Sequence, residues 1–184
     1  MRILCEAIRL FGRKGFTSTS VREVVEAAGC TKPTLYYYFA NKDALFSEAV
    51  SAQLDGFRTL VDSVIHAEGS ARSRLCSFLH TYVHGGIQHP ESVRLMVTAT
   101  APMDDSQPRI ETIERFRAEL GRLGIVFDQG IAEGELRAGV DASTAITLIV
   151  GAADITLMSG LAGAPVPDDF ADRIVSTLWE GLSR

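Results

Sequence analysis

The sequence is poor in cysteine and in long apolar runs, and each shortage excludes a class of protein. Its three cysteines, Cys5, Cys30 and Cys76, are odd in number and widely spaced, so they give neither a disulfide framework nor a C-x-x-C metal knuckle. The longest apolar stretch, residues 145–157, is interrupted by polar residues and is too short to cross a bilayer. No signal-peptide pattern opens the chain. We therefore expect a cytoplasmic protein without a membrane partner.

Motifs of the common enzyme classes are also absent from the sequence. It contains no G-x-S-x-G elbow, no glycine-rich phosphate loop, no H-E-x-x-H pair and no convincing pair of carboxylates. Neither strand-type alternation nor an internal repeat occurs. We therefore expect an all-helical protein that is not an enzyme and that carries no cofactor and no metal.

Charge is divided unevenly along the chain, whose net charge is −5. Residues 1–46 carry seven basic and four acidic side chains, whereas the remainder carries eleven basic and nineteen acidic ones. All three lysines, Lys14, Lys32 and Lys42, lie in this basic part. A basic module on an acidic body is expected when only one end of a protein meets phosphate, so the first fifty residues are the candidate for contact with nucleic acid.

Three short helices are predicted in the basic module. Apolar residues recur every three to four positions from Ile3 to Phe11, which predicts a helix over 2–14 with Gly15 as its left-handed cap. A capping box at Ser20 to Glu23 opens a second helix over 21–28. After a turn at Gly29, a third helix is predicted over 32–38. Two short helices joined by a glycine-containing turn and braced by a preceding helix form the helix-turn-helix arrangement.

Longer helices are predicted over the rest of the chain, so that about nine are expected in all. Glycine and proline residues separate them, and their predicted ranges are 41–66, 70–88, 90–101, 107–134, 141–161 and 168–182. The expected architecture is a helix-turn-helix domain over residues 1–47, followed by a larger helical domain over residues 48–184.

The third predicted helix is unusually aromatic on the side that faces away from its core. Leu35 and Phe39 are four residues apart and can pack on the first two helices. Tyrosine hydroxyls donate to phosphate oxygens, although Tyr36–Tyr38 could also be half-buried core aromatics. Lys32 and Lys42 each stand at a predicted helix N-terminus, where a cation is disfavoured by about 0.3 to 1 kcal/mol. This favours an anion from outside the protein, and DNA phosphate is the candidate.

A continuous pattern of short motifs runs through residues 2–47. Its segments are Leu10-Phe11, Gly15-Phe16, residues 17–24 (TSTSVREV), residues 27–39 (AAGCTKPTLYYYF) and residues 41–46 (NKDALF). This pattern closely resembles the DNA-binding domain of the TetR/AcrR family of transcription regulators. The resemblance implies a homodimer that binds double-stranded operator DNA, acts mostly as a repressor, and is released by a small-molecule inducer. Two positions depart from the family pattern, since Tyr38 stands where His is most frequent and Pro33 where small residues are usual.

The resemblance also implies which residues contact DNA. Those expected to approach the backbone or the groove are Thr19, Ser20 and Arg22. Those expected to enter the major groove are Thr31, Lys32, Pro33, Thr34, Tyr36 and Tyr37. Those expected to bind phosphates are Tyr38 and Lys42.

Residues 48–184 resemble the family only loosely, through the number of helices and the stretch Gly134-Glu135-Leu136-Arg137. Apolar residues between the fourth and seventh helices could line a ligand cavity or form plain core; they are Phe57, Leu60, Val61, Phe78, Tyr82, Met96, Thr98, Met103, Phe116 and Phe127. The alternative function is a DNA-binding regulator without small-molecule control.

The last two predicted helices carry apolar stripes that suggest a four-helix dimer interface. The small residues Gly151, Ala152 and Ala153 permit close approach of another helix. The expected interface residues are Ile146, Ile149, Val150, Ala153, Leu157, Ile174, Leu178 and Leu182. A purely intramolecular core is the alternative interpretation of these stripes.

A metal or redox sensor is a further alternative function. Cys76, His80 and His84 follow one another at intervals of four residues, but their span of about 12 Å along a helix is too long for one ion with ligands at about 2 Å. A pocket wall or an ordinary helix face is the simpler interpretation. Cys30, in the turn before the third helix, could act as a redox switch, but a small turn residue is the simpler interpretation there as well.

Overall fold

The computed structural model describes residues 2–100, 108 and 111–182, and every regular element within them is an α-helix. The helices are α1 (Arg2–Lys14), α2 (Val21–Ala28), α3 (Lys32–Tyr38), α4 (Lys42–Ile65), α5 (Ala71–Gln88), α6 (Pro90–Thr100), α7 (Thr112–Arg122), α8 (Gly124–Ala132), α9 (Ala142–Leu161) and α10 (Phe170–Leu182). The predicted all-helical fold is confirmed, and the bounds of α1, α2 and α3 agree with those predicted.

The described part of the chain holds ten helices, where about nine were predicted. The helix predicted over 107–134 is divided into α7 and α8 at Leu123. There the backbone hydrogen bonds tighten to a spacing of three residues, because the amide of Leu123 donates to Leu120 at 3.0 Å and that of Val126 donates to Leu123 at 2.9 Å. The buried Leu123 side chain occupies this break.

The described chain separates into two compact units. One comprises Met1–Gly56 and His89–Arg115, and the other comprises Phe57–Gln88 and Phe116–Arg184. The boundary between the two units falls within α4, and α6 belongs to the same unit as the N-terminal helices. The domain border at residues 47 and 48, which was drawn from the resemblance to a family, stays a prediction.

Three phenylalanines form the centre of the first unit. The rings of Phe11 and Phe46 meet edge to face with centroids 5.2 Å apart, and Phe16 lies 5.1 Å from Phe46. Such aromatic pairs contribute about 0.5 to 1.5 kcal/mol beyond the area they bury. They join α1, Phe16 just after the cap of α1, and the first turns of α4. This packing holds together the part of the first unit against which α2 and α3 lie.

A buried arginine organises the second unit. Arg74 of α5 is only 6% exposed, and its guanidinium donates to the carbonyls of Val64 at 2.9 Å and Ile65 at 2.6 Å. It also donates to the side chain of Gln129 in α8 at 2.7 Å. The carbonyls at the end of a helix carry partial negative charge and lack hydrogen-bond partners within the helix. Arg74 therefore caps α4, and the same carbonyls compensate for the cost of burying its positive charge.

The stretch Gly134-Glu135-Leu136-Arg137 has a structural explanation. The carboxylate of Glu135 accepts a hydrogen bond from the amide of Ala71 at 3.0 Å and so caps the start of α5. Leu136 is fully buried, and a Cβ added to Gly130 would lie 3.1 Å from its Cδ1 atom. The stretch therefore closes the second unit by joining the end of α8 to α5.

Helix α9 is long and apolar enough, by length and composition alone, to cross a membrane. The apolar stretch over residues 145–157, taken as too short to cross a bilayer, belongs to this longer helix, which agrees with the range predicted over 141–161. It packs on α5 and α10, and a third of its most apolar 18-residue segment is buried. A single helix of this kind is weak evidence for a membrane span, and the buried face of α9 packs on other helices of the second unit.

Candidate functional site

The ends of α2 and α3 are fixed by local capping. Ser20 accepts the amide of Glu23 at 3.2 Å, while the Glu23 carboxylate accepts the amide of Ser20 at 2.8 Å, which completes the predicted capping box. Gly29 adopts the left-handed conformation at φ 63° and ends α2. Thr31 then caps α3 by accepting the amide of Thr34 at 3.3 Å. The sequence of this turn therefore sets the angle at which α3 is presented.

The outer face of α3 is almost wholly exposed. Leu35 is completely buried and Phe39 is 7% exposed, so the inner face is the one predicted. Tyr36, Tyr37 and Tyr38 are 49%, 82% and 55% exposed, so Tyr37 lies almost wholly outside the core while Tyr36 and Tyr38 are about half exposed. Their hydroxyls and rings stand outward together with the exposed side chains of Lys32, Pro33 and Thr34.

Lys42, the first residue of α4, is held by two groups inside the protein. Its Nζ lies 4.2 Å from the centroid of the Phe16 ring and donates to the carbonyl of Thr17 at 3.4 Å. Partial burial lowers the pKa of the Lys42 ammonium from its ordinary value. The ring and the carbonyl offset part of the free-energy cost of a cation at a helix N-terminus. They also hold the Lys42 ammonium in one position.

Three predicted contact residues near α2 have local partners. Thr19 is 1% exposed, and its hydroxyl donates to the carbonyl of Gly15 at 2.8 Å, so it closes the connection between α1 and α2 and is unavailable to DNA. This corrects the prediction for Thr19. The Ser20 hydroxyl is used in the capping box. Arg22 is exposed but pairs with Glu26 at 2.7 Å, and that hydrogen bond raises the pKa of its guanidinium.

An ion pair that the sequence analysis missed joins the end of α1 to α2. Lys14 donates to the carboxylate of Glu23, which also accepts the backbone amide and the hydroxyl of Ser20. These hydrogen bonds, with that from Lys14 the largest, lower the pKa of Glu23 to about 2. Lys14 is therefore engaged within the protein, whereas the exposed Lys32 makes no ion pair in the described part of the chain.

Four of the predicted ligand-binding residues meet in the second unit. The Phe57 ring lies 4.5 Å from Phe116, 6.0 Å from Tyr82 and 6.3 Å from Phe78, and the Phe78 and Tyr82 rings stack at 5.8 Å. We call these four residues the aromatic cluster. Val61 and Phe127 of the same unit are fully buried, and Leu60 is half-buried.

The remaining predicted ligand-binding residues do not belong to this unit. Met96 and Thr98 lie on α6 in the first unit. Met103 lies outside the described residues. The aromatic cluster is therefore the part of the predicted cavity lining that the structure brings together.

Asp154 is an acidic residue at the aromatic cluster that the sequence analysis missed. Its carboxylate accepts a hydrogen bond of 2.6 Å from the hydroxyl of Tyr82. Burial raises the pKa of both groups above their ordinary values. Asp154 is the only charged residue in α9, and a lone charge in an otherwise apolar helix was the signal that could have drawn attention to it.

The predicted dimer residues of α9 belong to the core of the protomer. Five of them are at most 6% exposed: Ile146, Ile149, Val150, Ala153 and Leu157. Helix α9 packs on α5, α10 and α8, so the apolar area of these buried residues is already used within one chain, and this corrects their assignment to a dimer interface. Ile174 and Leu178 of α10 are half-buried, and the side chain of Leu182 lies outside the described residues.

A different face of α9 carries an exposed apolar stripe. Leu148, Ile155 and Met158 are 53%, 72% and 44% exposed. Gly151 lies among them and is itself exposed. We call these four residues the α9 stripe.

The surroundings of Cys76, His80 and His84 contain no metal-binding group among the described residues. The two imidazole rings stack with centroids 5.6 Å apart, and that of His80 lies 5.1 Å from Phe170. The Cys76 thiol donates to Asp172 at 3.6 Å, and burial raises its pKa to about 11. A thiol that stays protonated is a poor ligand and a poor nucleophile.

Comparison with known proteins assigns both parts of the chain to one family. Residues 3–49 match the family described as "Bacterial regulatory proteins, tetR family". Residues 65–178 match "Tetracyclin repressor-like, C-terminal domain". The first match contains all of α2 and α3, and the second contains most of the second unit.

Individual regulators are similar over most of the chain. The HTH-type transcriptional repressor KstR2 of Mycobacterium tuberculosis H37Rv is 28% identical over 144 residues, which are 73% of this chain and 68% of that protein. The KstR2 repressor of Rhodococcus jostii RHA1 is 23% identical over 96% of this chain and 87% of its own. Among solved structures, a TetR family transcription regulator from Marinobacter aquaeolei VT8 has a TM-score of 0.78 at 22% identity, over 100% of this chain and 95% of that one. FadR from Bacillus subtilis in complex with stearoyl-CoA has a TM-score of 0.74 at 19% identity, over 99% and 98% of the two chains.

Proposed function

Because the chain belongs to the TetR family of bacterial transcription regulators, we propose that it is a cytoplasmic homodimeric repressor whose operator DNA is released when a small molecule binds. Proteins of this family are DNA-binding regulators and not enzymes. The observation that carries the proposal is the outer face of α3, where three tyrosines are about half exposed or more although no core requires them.

Some residues of this surface position the protein on the DNA backbone, and others read the base sequence. Lys42 and the Tyr38 hydroxyl bind phosphate oxygens, which fixes the register of α3 in the major groove. Thr34 and Tyr37 stand where base edges are read. The proposed contact surface is Ser20, Arg22, Thr31, Lys32, Pro33, Thr34, Tyr36, Tyr37, Tyr38 and Lys42.

Dimerisation places the two copies of α3 on successive major-groove faces, which are about 34 Å apart. We assign the interface to the α9 stripe, because it is apolar, exposed in the protomer, and centred on a glycine that lets another helix approach closely. Full burial of each large side chain in the stripe contributes about 1.5 to 3 kcal/mol. The half-buried Ile174 and Leu178 of α10 extend the same interface.

Release by a ligand requires that the ligand bind better to the conformation that does not hold DNA, and typical coupling is about 1 to 3 kcal/mol. We place the ligand at the aromatic cluster, which belongs to the part of the chain that matches the C-terminal domain of the family. A regulator without small-molecule control is the second candidate. It would be favoured if no compound bound to the second unit changed the affinity for DNA.

Binding of the full chain to double-stranded DNA tests the proposal. Sequences selected from a random pool should bind tighter than random duplexes by about three or more orders of magnitude at physiological salt. Tyr37→Ala, which removes an exposed side chain, should weaken this binding about tenfold or more without changing thermal stability. Ile125→Ala, an exposed position on α8, is the matched control. If no sequence is enriched, or if Tyr37→Ala binds as the parent does, the proposed function is wrong.

A further inference from the structure

We propose that the ligand of the second unit is a small organic cation with an aromatic or bulky apolar body, bound between the aromatic cluster and Asp154. This inference rests on the proposed ligand control and adds the chemical class of the ligand. It depends on four aromatic faces and one half-buried carboxylate that come together in one unit.

The aromatic cluster combines a buried ring with rings that solvent reaches. Phe78 is fully buried, whereas Phe57, Tyr82 and Phe116 are each partly exposed within the described part of the chain. The hydrogen bond from Tyr82 joins the Asp154 carboxylate, itself partly exposed, to the aromatic cluster. A molecule that contacts Tyr82 and Asp154 therefore meets an aromatic ring and a carboxylate together.

Asp154 has unused capacity to accept hydrogen bonds or to face a positive charge. A carboxylate offers about four lone-pair positions, and Tyr82, a neutral donor, occupies one of them. No basic residue occurs anywhere in α9. The half-buried carboxylate therefore has no cationic partner on its own helix, and an ammonium group would supply one.

Ring electrostatics and the pairing of several arginines also favour a cation over an anion. Of the seven arginines in the described part of the second unit, four are bound within it: Arg58 by Asp62, Arg72 by Ser176, Arg74 by carbonyls and Gln129, and Arg122 by Asp62 and Glu119. Ring faces carry the negative part of the aromatic quadrupole and attract cations within about 6 Å of the centroid. An anionic head group beside Tyr82 and Asp154 would meet a ring face and the Asp154 carboxylate, both of which repel it.

Calorimetric titration of the full chain with a cation, a neutral probe of the same shape and an anion that shares the benzyl group tests the charge preference. The probes are benzyltrimethylammonium, its uncharged carbon analogue neopentylbenzene, and the anion phenylacetate. Benzyltrimethylammonium should bind about tenfold or more tighter than either of the other two. Equal affinity for the cation and the neutral analogue, or no binding of the cation, would overturn the inference.

Three variants locate the site. Asp154→Asn keeps the shape of the side chain and should lose about tenfold or more in affinity for the cation. Asp168→Asn, at an exposed position outside α9, makes the same change in net charge and should bind the cation as the parent does. Tyr82→Phe keeps the ring, frees the carboxylate, and should retain cation binding. Loss of affinity in Asp168→Asn equal to that in Asp154→Asn would show a general charge effect and overturn the site.

Anisotropy measurements with selected DNA in the same samples separate this inference from the proposed function. If DNA is released by an acyl-CoA and not by the cation, the ligand class is wrong although the regulator function stands. If the cation binds at Asp154 without weakening the DNA complex, the cation site is supported, and the proposal that a small molecule releases DNA is wrong.

Discussion

Gly12 of α1 lies directly against the backbone of Glu91 in the first turn of α6. A Cβ atom added to Gly12 would be 2.1 Å from the carbonyl oxygen of Glu91 and 2.9 Å from its α-carbon. Real Cβ atoms do not approach backbone so closely, so the contact between α1 and α6 within the first unit depends on the missing side chain. Glycine in the interior of a helix is otherwise unfavourable, by about 1 kcal/mol relative to alanine.

Gly12→Ala should therefore destabilise the protein although alanine is the better helix former. The clash with Glu91 should cost about 1 to 3 kcal/mol, which exceeds the gain in helix propensity. Urea unfolding of both variants measures the difference. Gly85→Ala, where nothing lies within 4 Å of the added Cβ, is the matched control and should be about 0.5 to 1 kcal/mol more stable than the parent. Equal stabilisation by both substitutions would contradict the close packing of α1 on α6.

Lys42→Ala should weaken binding to selected and to random DNA alike. Loss of one phosphate contact reduces the slope of log affinity against log salt concentration by about one unit. Lys14→Ala is the control, because the Lys14 ammonium is paired with Glu23 and should leave the slope nearly unchanged. Anisotropy titrations at several salt concentrations measure both slopes. An unchanged slope for Lys42→Ala would mean that the Lys42 ammonium serves only its contacts with Phe16 and Thr17.

Ile155→Glu should convert the dimer to a monomer that keeps its fold. The side chain is 72% exposed in the protomer, so a carboxylate there is tolerated in the monomer but costs several kcal/mol in an apolar interface. Sedimentation velocity measures the change in mass, and circular dichroism shows whether the helices persist. Ile125→Glu, a similar change on α8, should remain dimeric. Val150→Glu is a poor test of the interface, because Val150 is buried within the protomer and its substitution should unfold the second unit.

Acid should weaken the first unit through Glu23. The pKa of Glu23 is lowered from 4.5 to about 2 in the folded protein, so the folded state binds this proton less readily than the unfolded state. The stabilisation is complete above about pH 4.5 and is lost as the pH falls towards 2.

Glu23→Gln removes this dependence, so the difference in melting temperature between parent and variant should shrink on acidification. Lys14→Ala removes the largest cause of the low pKa and should reduce the dependence without abolishing it. A difference between parent and Glu23→Gln that grows as the pH falls would contradict the assignment.

Local signals in the sequence were sufficient for the helices of the first fifty residues, but not for every side chain. The capping box at Ser20, the turn at Gly29 and the spacing of Leu35 and Phe39 all act within a few residues, so helix bounds and the inner face of α3 could be predicted from them. Thr19 was placed wrongly because its role depends on a carbonyl of α1, which only the folded chain brings within reach.

Tertiary contacts limited what could be predicted for the second unit. Helix α9 is apolar on nearly all sides, so its sequence could not distinguish the face packed on α5 from the α9 stripe. The bond between Tyr82 and Asp154 joins residues that are 72 positions apart and leaves no local pattern. The break at Leu123 was also missed, because a leucine is compatible with a continuous helix.

The distribution of lysines has a consequence for covalent labelling of side-chain amines. Lys14, Lys32 and Lys42 all belong to the first unit, and the second unit contains no lysine at all. Lys14 is tied to a carboxylate and Lys42 lies over a ring, which leaves Lys32 as the most accessible amine. Acylating reagents therefore modify lysine only in the first unit, which holds the surface assigned to DNA, and protection of Lys32 reports occupancy of α3 without a labelled nucleic acid.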